Sequence, residues 1–170
     1  MKTVIWVMGL SGVGKTTTIS NYAKAYGGIY LDTDDLRNTL NSDLGWSEDD
    51  RVENVRRYAE LAKSLSNQIP VIVGCTTPLR AQRDLLRLIF ESFILVELTC
   101  DRDLLIGRSV KNYYRRCGTD DTVPSLAGVN FPYESARTEA DLVIDTNETP
   151  VEEVLKKIRK IHESRATARE

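Results

Sequence analysis

The sequence predicts an α/β fold in which a five-stranded parallel sheet is covered by helices on both faces. Short apolar runs alternate with longer segments of helical period, which is the pattern of strand–helix–strand crossovers. A glycine-rich segment also stands between the first apolar run and the first helical segment. The chain has 170 residues and carries no internal repeat or linker, so we predict a single domain over residues 1–170.

The elements follow from local patterns taken in order along the chain. The apolar runs predicted to be strands are Thr3–Met8, Gly28–Leu31, Val71–Gly74, Phe93–Leu98 and Leu142–Ile144. Apolar stripes predict helices over Asp50–Gln68 and Arg80–Phe90, and Pro150 opens a closing helix. The basic, glycine-containing stretch over residues 108–130 predicts a lid, and the polar end over residues 165–170 predicts a frayed tail.

Composition excludes several classes of protein. Hydrophobic residues make up 41% of the chain, charged residues 28%, and the net charge is −2, which excludes disordered and collagen-like chains. This balance lacks the basic surface that nucleic-acid binding requires. No run approaches the roughly 18 apolar residues of a membrane span. Cys75, Cys100 and Cys117 are widely spaced, which favours reduced thiols. We therefore expect a cytoplasmic protein with neither a nucleic-acid nor a membrane partner.

The segment from Gly9 to Thr16 matches the phosphate-binding pattern G-x-x-x-x-G-K-[ST]. Its glycines let backbone N–H groups turn towards phosphate oxygens, and the following helix adds the positive end of its dipole. Lys15 is placed to reach the β- and γ-phosphates, and the Thr16 hydroxyl to bind Mg²⁺. The residues that this segment is predicted to bring to ATP are Gly9, Ser11, Gly12, Val13, Gly14, Lys15, Thr16 and Thr17.

Other motifs decide between the classes of phosphate-binding protein. The chain lacks the Asn-Lys-x-Asp and Asp-x-x-Gly motifs of GTPases. It also lacks an apolar strand ending in Asp-Glu and the length for the partner domains of a motor or transporter ATPase. A kinase of nucleotides or small molecules is left as the leading class. A nucleotide-binding regulatory module without turnover is the alternative from another class.

The second predicted strand leads into three carboxylates, Asp32, Asp34 and Asp35. Ligands of open α/β sheets bind at this carboxyl end of the strands. Asp is also a favoured helix N-cap, and Asp35 needs no further role than that. We predict that Asp32 and Asp34 are functional, one organising Mg²⁺ and the other accepting the proton of an attacking hydroxyl.

An ordered set of motifs from Ile5 to Thr146 resembles the adenylylsulfate kinase family. The segments that carry the resemblance are Leu31-Asp32-Thr33-Asp34-Asp35-Leu36-Arg37, Leu40-Asn41-Ser42-Asp43-Leu44-Gly45-Trp46-Ser47 and Asp50-Arg51-Val52-Glu53-Asn54-Val55-Arg56-Arg57. That family has a three-layer P-loop kinase fold and transfers the γ-phosphate of ATP to the ribose 3′-hydroxyl of adenosine 5′-phosphosulfate. The resemblance implies this reaction here, with Mg²⁺ as cofactor and a homodimer as the assembly.

Site residues follow from the resemblance position by position. It implies that Lys15, Asp32, Asp34 and Thr77 are catalytic, that Arg108 and Thr146 join the ATP site, and that Thr16 and Asp32 hold the metal. The residues implied to bind the acceptor nucleotide are Asp32, Asp34, Arg37, Trp46, Arg51, Asn54, Cys75, Thr76, Thr77, Lys111, Leu126 and Ala127. Arg56 and Arg57 are expected to form only a solvated helix face.

Departures from the family pattern concentrate at the acceptor. Leu126 stands where the family has one of two aromatic rings that enclose the acceptor base, so Trp46 is the ring that remains. Thr77 stands at a serine that is sometimes described as phosphorylated, and keeps a hydroxyl there. Relatives such as a cytidine diphosphoramidate kinase of capsule biosynthesis phosphorylate the 3′-hydroxyl of other nucleotides. The sequence therefore leaves a cytidine diphosphate derivative open as the alternative acceptor.

Overall fold

A computed structural model describes residues 2–108, 112–119 and 125–167 of the protein. Its strands are β1 (Val4–Met8), β2 (Ile29–Asp32), β3 (Val71–Gly74), β4 (Ile94–Thr99) and β5 (Leu142–Asp145). They form one sheet in the order β2-β3-β1-β4-β5, and every neighbouring pair is parallel. The predicted α/β sheet is confirmed, and each strand boundary lies within one residue of its predicted position.

Helices cover both faces of this sheet and make three layers. They are α1 (Lys15–Tyr26), α2 (Thr33–Arg37), α3 (Glu48–Leu65), α4 (Arg80–Ile89), α5 (Arg102–Arg108), α6 (Tyr113–Arg116) and α7 (Val151–Thr167). Successive strand residues face opposite sides, so Val4, Trp6 and Met8 pack against α3 and α4 while Ile5 and Val7 pack against α1 and α7. The sheet therefore lies between two apolar clusters.

Helix α3 begins earlier than the apolar stripe predicts. Ser47 and Asp50 form a capping box, in which the Ser47 hydroxyl accepts a hydrogen bond from the Asp50 N–H at 3.1 Å. The Asp50 carboxylate accepts one from the Ser47 N–H at 3.2 Å. This pairing satisfies two N–H groups at the start of the helix, which the stripe alone does not reveal. The short helices α2, α5 and α6 are also absent from the sequence prediction.

The first residues of the predicted frayed tail lie within the described part of the chain. Arg165, Ala166 and Thr167 belong to α7. Arg165 donates to the carbonyl oxygen of Phe93 at 2.5 Å and pairs with the Asp141 carboxylate. These two contacts connect the end of α7 to the residues just before β4 and β5.

The predicted lid is described only in part, at Arg108, at residues 112–119 and from residue 125 onward. Within it, α6 packs on the glycine-rich loop, since the Tyr114 hydroxyl donates to the Ser11 carbonyl oxygen at 2.8 Å. Within the described residues, no helix is long and apolar enough to cross a bilayer.

Candidate active site

The glycine-rich loop connects β1 to α1 at the carboxyl edge of the sheet. Gly9 and Gly12 have φ angles of 145° and 84°. A Cβ atom at Gly9 would lie 2.5 Å from the Leu98 carbonyl oxygen, and one at Gly12 would lie 2.7 Å from the Leu105 carbonyl oxygen. Only glycine fits such crowded left-handed positions. The tertiary packing thus explains the glycines that the motif contains.

Lys15 starts α1 and turns back over the loop. Its ammonium group donates to the carbonyl oxygens of Gly9 at 2.8 Å and Leu10 at 2.9 Å. Burial lowers the pKa of Lys15, and the nearby charges of Asp34 and Asp32 oppose that shift. Both acceptors are neutral carbonyl oxygens, so a phosphate oxygen offers the ammonium group a stronger partner.

Asp32 is the last residue of β2, and its side chain contacts Thr16 at the end of the glycine-rich motif. One carboxylate oxygen accepts a hydrogen bond from the Thr16 hydroxyl at 2.5 Å, and the other accepts from the Asp34 N–H at 3.0 Å. Asp32 is therefore the N-cap of α2, a role that the sequence analysis had considered for Asp35. One oxygen of Asp32 thus caps α2, and the other contacts Thr16 at the start of α1.

The chemistry of this pair fits Mg²⁺. The Thr16 hydroxyl and the Asp32 carboxylate are hard oxygen donors lying side by side, and Mg²⁺ usually takes only one or two protein ligands, with phosphates and waters as the rest. In the described part of the chain, no group of three or more His, Cys, Asp or Glu side chains could form a complete metal cage. The arrangement suits a metal that arrives with a polyphosphate.

A cleft of about 480 Å³ lies beside the loop, between α1 and the segment that follows β5. Thr146 donates from its hydroxyl to the Val13 carbonyl oxygen at 3.2 Å and to the Thr99 carbonyl oxygen at 3.1 Å. The Arg108 guanidinium donates in turn to the Thr146 carbonyl oxygen at 3.2 Å. The structure thus brings these two predicted ATP residues to Val13, Gly14 and Thr17, and adds Asn147 and Pro150, which the sequence analysis missed.

A second cavity, of about 220 Å³, lies on the other side of Lys15. Its lining contains predicted acceptor residues from α2, α3, the loop that holds Trp46 and residues 126–127, together with Tyr113 and the unpredicted Asn38 and Ser125. A smaller inner cavity of about 80 Å³ continues it towards Asn54, Cys75 and Thr77. A third cleft, of about 330 Å³, lies over the glycine-rich loop itself. Four residues, Ser11, Lys15, Asp34 and Tyr113, line both this cleft and the acceptor cavity.

Two arginines dominate the charge of this cavity. Arg37 donates to the Asn54 side chain at 3.2 Å and to the Gly45 carbonyl oxygen, and its Cζ lies 4.0 Å from the centre of the Trp46 ring. Arg51 donates to the Trp46 carbonyl oxygen at 3.2 Å and to the Ser125 hydroxyl at 2.9 Å. Burial lowers the pKa of Arg51, and the Arg37 charge adds to that effect.

The acceptors of these hydrogen bonds carry no charge. Within residues 2–108, 112–119 and 125–167, each guanidinium hydrogen bond of Arg37 and Arg51 ends on an amide, carbonyl or hydroxyl oxygen. Their positive charge is therefore not neutralised by a hydrogen-bonded carboxylate of the described chain. A cavity with two such cations is suited to an anionic ligand.

Three predicted site residues line the inner cavity, where each is also held by neighbouring side chains or by burial. Thr77 is fully buried, and its hydroxyl accepts a hydrogen bond from the Trp6 indole N–H at 2.8 Å. Asn54 uses its side-chain oxygen to hold Arg37 and Asn41. The Cys75 thiol is buried, which raises its pKa. All three support the wall of the inner cavity, and the geometry offers no catalytic role for the Thr77 hydroxyl. Lys111 lies outside the described residues.

The fold and this pair of cavities around a phosphate-binding loop define a P-loop kinase. Its glycine-rich loop and Lys15 line one cleft, and a separate cavity lies next to them on the side of Asp34. The chain belongs to the adenylylsulphate kinase family, whose model matches residues 1–145. The family resemblance drawn from the motifs is thereby confirmed.

Relatives of known sequence and structure agree with this assignment. The adenylyl-sulfate kinase of Geotalea uraniireducens (strain Rf4) is 39% identical over 171 aligned positions, which cover 96% of this chain and 81% of that one. The APS kinase of Mycobacterium tuberculosis, solved in complex with AMPPNP and APS, superposes with a TM-score of 0.87 at 26% identity and covers 95% of this chain and 98% of that one. A gluconokinase from Sinorhizobium meliloti 1021, at 22% identity and a TM-score of 0.70, covers 98% and 97% and shares the fold.

Proposed function

We propose that the protein transfers the γ-phosphate of ATP to the ribose 3′-hydroxyl of adenosine 5′-phosphosulfate. The observation that carries this proposal is the shared wall of the two cavities, because Lys15 and Asp34 line both the phosphate-binding cleft and the acceptor cavity. A donor phosphate and an acceptor hydroxyl placed in these cavities would meet at that wall. The family membership supports the identity of both substrates.

On the donor side, the loop N–H groups and Lys15 would hold the β- and γ-phosphates. The ammonium group would exchange the Gly9 and Leu10 carbonyl oxygens for phosphate oxygens, which is a short movement within the same loop. Thr16 and Asp32 would hold Mg²⁺, which when bound neutralises charge on the polyphosphate.

On the acceptor side, Arg37 and Arg51 would bind the phosphosulfate group, since planar guanidinium groups pair well with tetrahedral oxyanions. Trp46 would stack on the base; such a contact contributes about 1–3 kcal/mol. Asp34 would accept the proton of the 3′-hydroxyl as that oxygen attacks the γ-phosphorus. Lys15 would then stabilise the charge that develops on the transferred phosphoryl group.

A cytidine diphosphate derivative, such as cytidine diphosphoramidate in capsule biosynthesis, is a second candidate acceptor. One observation favours it: Leu126, and not a ring, lines the acceptor cavity beside Ala127. A base in this cavity would meet Leu126 at the position where the family pattern has a ring. The two acceptors share the terminal anionic group and the 3′-hydroxyl, so the chemistry at Lys15 and Asp34 would be the same.

We further propose that the enzyme works as a homodimer in the cytoplasm. The family resemblance supports the dimer, and three free cysteines, of which Cys75 is buried, agree with a reducing compartment. Light scattering coupled to size-exclusion chromatography measures the assembly directly. A mass of one chain across micromolar concentrations would contradict the dimer.

The test of the function is an ADP-release assay with Mg·ATP, run in parallel with adenosine 5′-phosphosulfate and with cytidine diphosphate and its phosphoramidate. We expect turnover with the phosphosulfate. Turnover with a cytidine compound alone would replace the proposed acceptor and keep the kinase chemistry. ATP binding with no turnover on any of these compounds would favour a regulatory module.

Asp34→Asn tests the proposed base, and Asp35→Asn is its matched control. Both carboxylates are exposed on α2, but only Asp34 lines the two cavities. General-base catalysis contributes about a hundredfold to ten-thousandfold in rate, so we expect a loss of that size in kcat for Asp34→Asn and none for Asp35→Asn. A wild-type kcat in Asp34→Asn would remove Asp34 as the base.

A further inference from the structure

A tight loop over residues 126–131 carries Phe131 to Arg51, which lines the acceptor cavity. The Phe131 N–H donates to the Leu126 carbonyl oxygen at 3.2 Å, and the Gly128 N–H donates to the Phe131 carbonyl oxygen at 2.8 Å. These two bonds close the loop on itself. One end of the loop brings Leu126 to the cavity wall, and the other places the Phe131 ring 4.2 Å from the Cζ of Arg51.

Arg51 is fixed from several directions. Its Nε donates to the Trp46 carbonyl oxygen, and its Nη2 donates to both the carbonyl and the hydroxyl oxygen of Ser125. The third nitrogen, Nη1, donates no hydrogen bond to any residue that the structure describes. The Phe131 ring covers the guanidinium at a distance typical of a cation–π contact. The hydrogen bonds thus fix Nε and Nη2, and the Phe131 ring packs on the guanidinium group as a whole. Nη1 stays available to a ligand.

Phe131 has no evident role in the protein core. It is half-buried, and it belongs to neither of the two apolar clusters of the described residues, nor to the partly buried side chains that pack on them. The aromatic contact identified for its ring is the Arg51 guanidinium. A large apolar side chain placed outside the core against a cavity-lining cation indicates a role in the site.

We propose that Phe131 is a positioning residue for the acceptor, because its ring holds the Arg51 guanidinium in the orientation that binds the anionic end of the acceptor nucleotide. The inference rests on the proposed function, and it adds a residue outside the set that the motifs single out. Phe131 stabilises Arg51 without facing the donor cleft. Its loss should therefore weaken acceptor binding and leave ATP binding unchanged.

The kinetic test compares Phe131→Leu with wild type, using adenosine 5′-phosphosulfate as the acceptor. A cation–π contact at a partly shielded site corresponds to about a threefold to thirtyfold change in an equilibrium constant. We expect the acceptor KM to rise by that factor, the ATP KM to stay constant, and Phe131→Tyr to restore the wild-type value. Val129→Ala is the matched control, since Val129 lies on the same loop and is exposed.

A second readout does not depend on turnover. A proton above an aromatic ring is shifted upfield in the NMR spectrum, so the Nε–H resonance of Arg51, assigned with Arg51→Lys, should lose this shift in Phe131→Leu and keep it in Phe131→Tyr. An unchanged resonance in Phe131→Leu, or an acceptor KM equal to that of wild type, would overturn the proposal. A rise of both KM values together with a lower melting temperature would also overturn it, because Phe131 would then be a structural residue.

The two proposals fail in different ways. If the wild type does not turn over the phosphosulfate, the proposed function falls and the Arg51 resonance alone decides the role of Phe131. If the wild type turns over the phosphosulfate and Phe131→Leu behaves as wild type, the function stands and the positioning role falls.

Discussion

Thr77→Val tests whether the buried hydroxyl at this position is structural or catalytic. Thr77 and Trp6 are both fully buried, and the Trp6 indole N–H has the Thr77 hydroxyl as its partner at 2.8 Å. Thr77 has a φ angle of 45°, which is strained for any β-branched residue. Valine has the same shape and the same branching, so the substitution removes the hydrogen bond and leaves the backbone strain unchanged.

The expected loss of stability follows from the Trp6 indole N–H, which loses its hydrogen-bond acceptor in this variant. A buried N–H left without an acceptor costs about 1–3 kcal/mol, and Trp6 lies between the sheet and α4, where water does not reach it. For a chain of this length, each kcal/mol lowers the melting temperature by about 2–4 °C. We therefore expect Thr77→Val to lower the free energy of unfolding by about 1–3 kcal/mol and to keep the wild-type kcat.

The assay is urea unfolding followed by tryptophan fluorescence, with kcat measured on the same preparations. Thr77→Ser is the control for the hydrogen bond, because it keeps the hydroxyl that accepts from Trp6 and loses only the methyl group. Trp6→Phe removes the donor, so the double variant with Thr77→Val should lose less stability than the sum of the two single variants. A Thr77→Val protein with wild-type stability and a strongly reduced kcat would refute this reasoning and restore a catalytic role for the hydroxyl.

Two further predictions concern arginine sites. Arg51→Met should raise the acceptor KM by about tenfold to a hundredfold, which corresponds to the loss of one charge-assisted hydrogen bond. Arg56→Met is the control and should leave the acceptor KM unchanged, because Arg56 lies on the same helix but pairs with Glu53 in solvent. Equal acceptor KM values for the two variants in steady-state kinetics would contradict this prediction. Hydrogen bonding from Arg83 lowers the pKa of Glu139 from 4.5 to about 2, so its stabilising contribution is complete above pH about 4.5 and is lost as the pH falls towards about 2. The unfolding free energy of Glu139→Gln should accordingly depend less on pH across that window, and equal slopes for variant and wild type would disprove the linkage.

Local sequence patterns predicted the parts of the site whose residues are neighbours in the chain. The glycine-rich loop is one contiguous segment, and the Asp32–Asp34 cluster directly follows a strand, so spacing alone indicated both. The acceptor cavity is different, because α2, α3, the loop that holds Trp46 and residues 125–127 meet there only in three dimensions. Ser125 and Phe131 carry no motif of their own, and the only available signal was an aromatic residue just before the Pro132-Tyr133 pair.

The roles of individual polar residues also divide into those that the sequence indicates and those that only the tertiary structure shows. The sequence indicated that Asp32 and Thr77 matter, but it could not show that Asp32 caps α2 while touching Thr16, nor that Thr77 faces Trp6 across 71 positions of sequence. The positions of the strands and the phosphate-binding loop followed from periodicity and glycine spacing, because short-range sterics and alternating burial act along the chain itself. The order of the strands in the sheet came from the tertiary structure. The partners of Arg37, Arg51, Thr77 and Phe131 were decided by the tertiary structure alone, because hydrogen bonds and ring contacts depend on which distant segments packing brings within about 3–5 Å of each other.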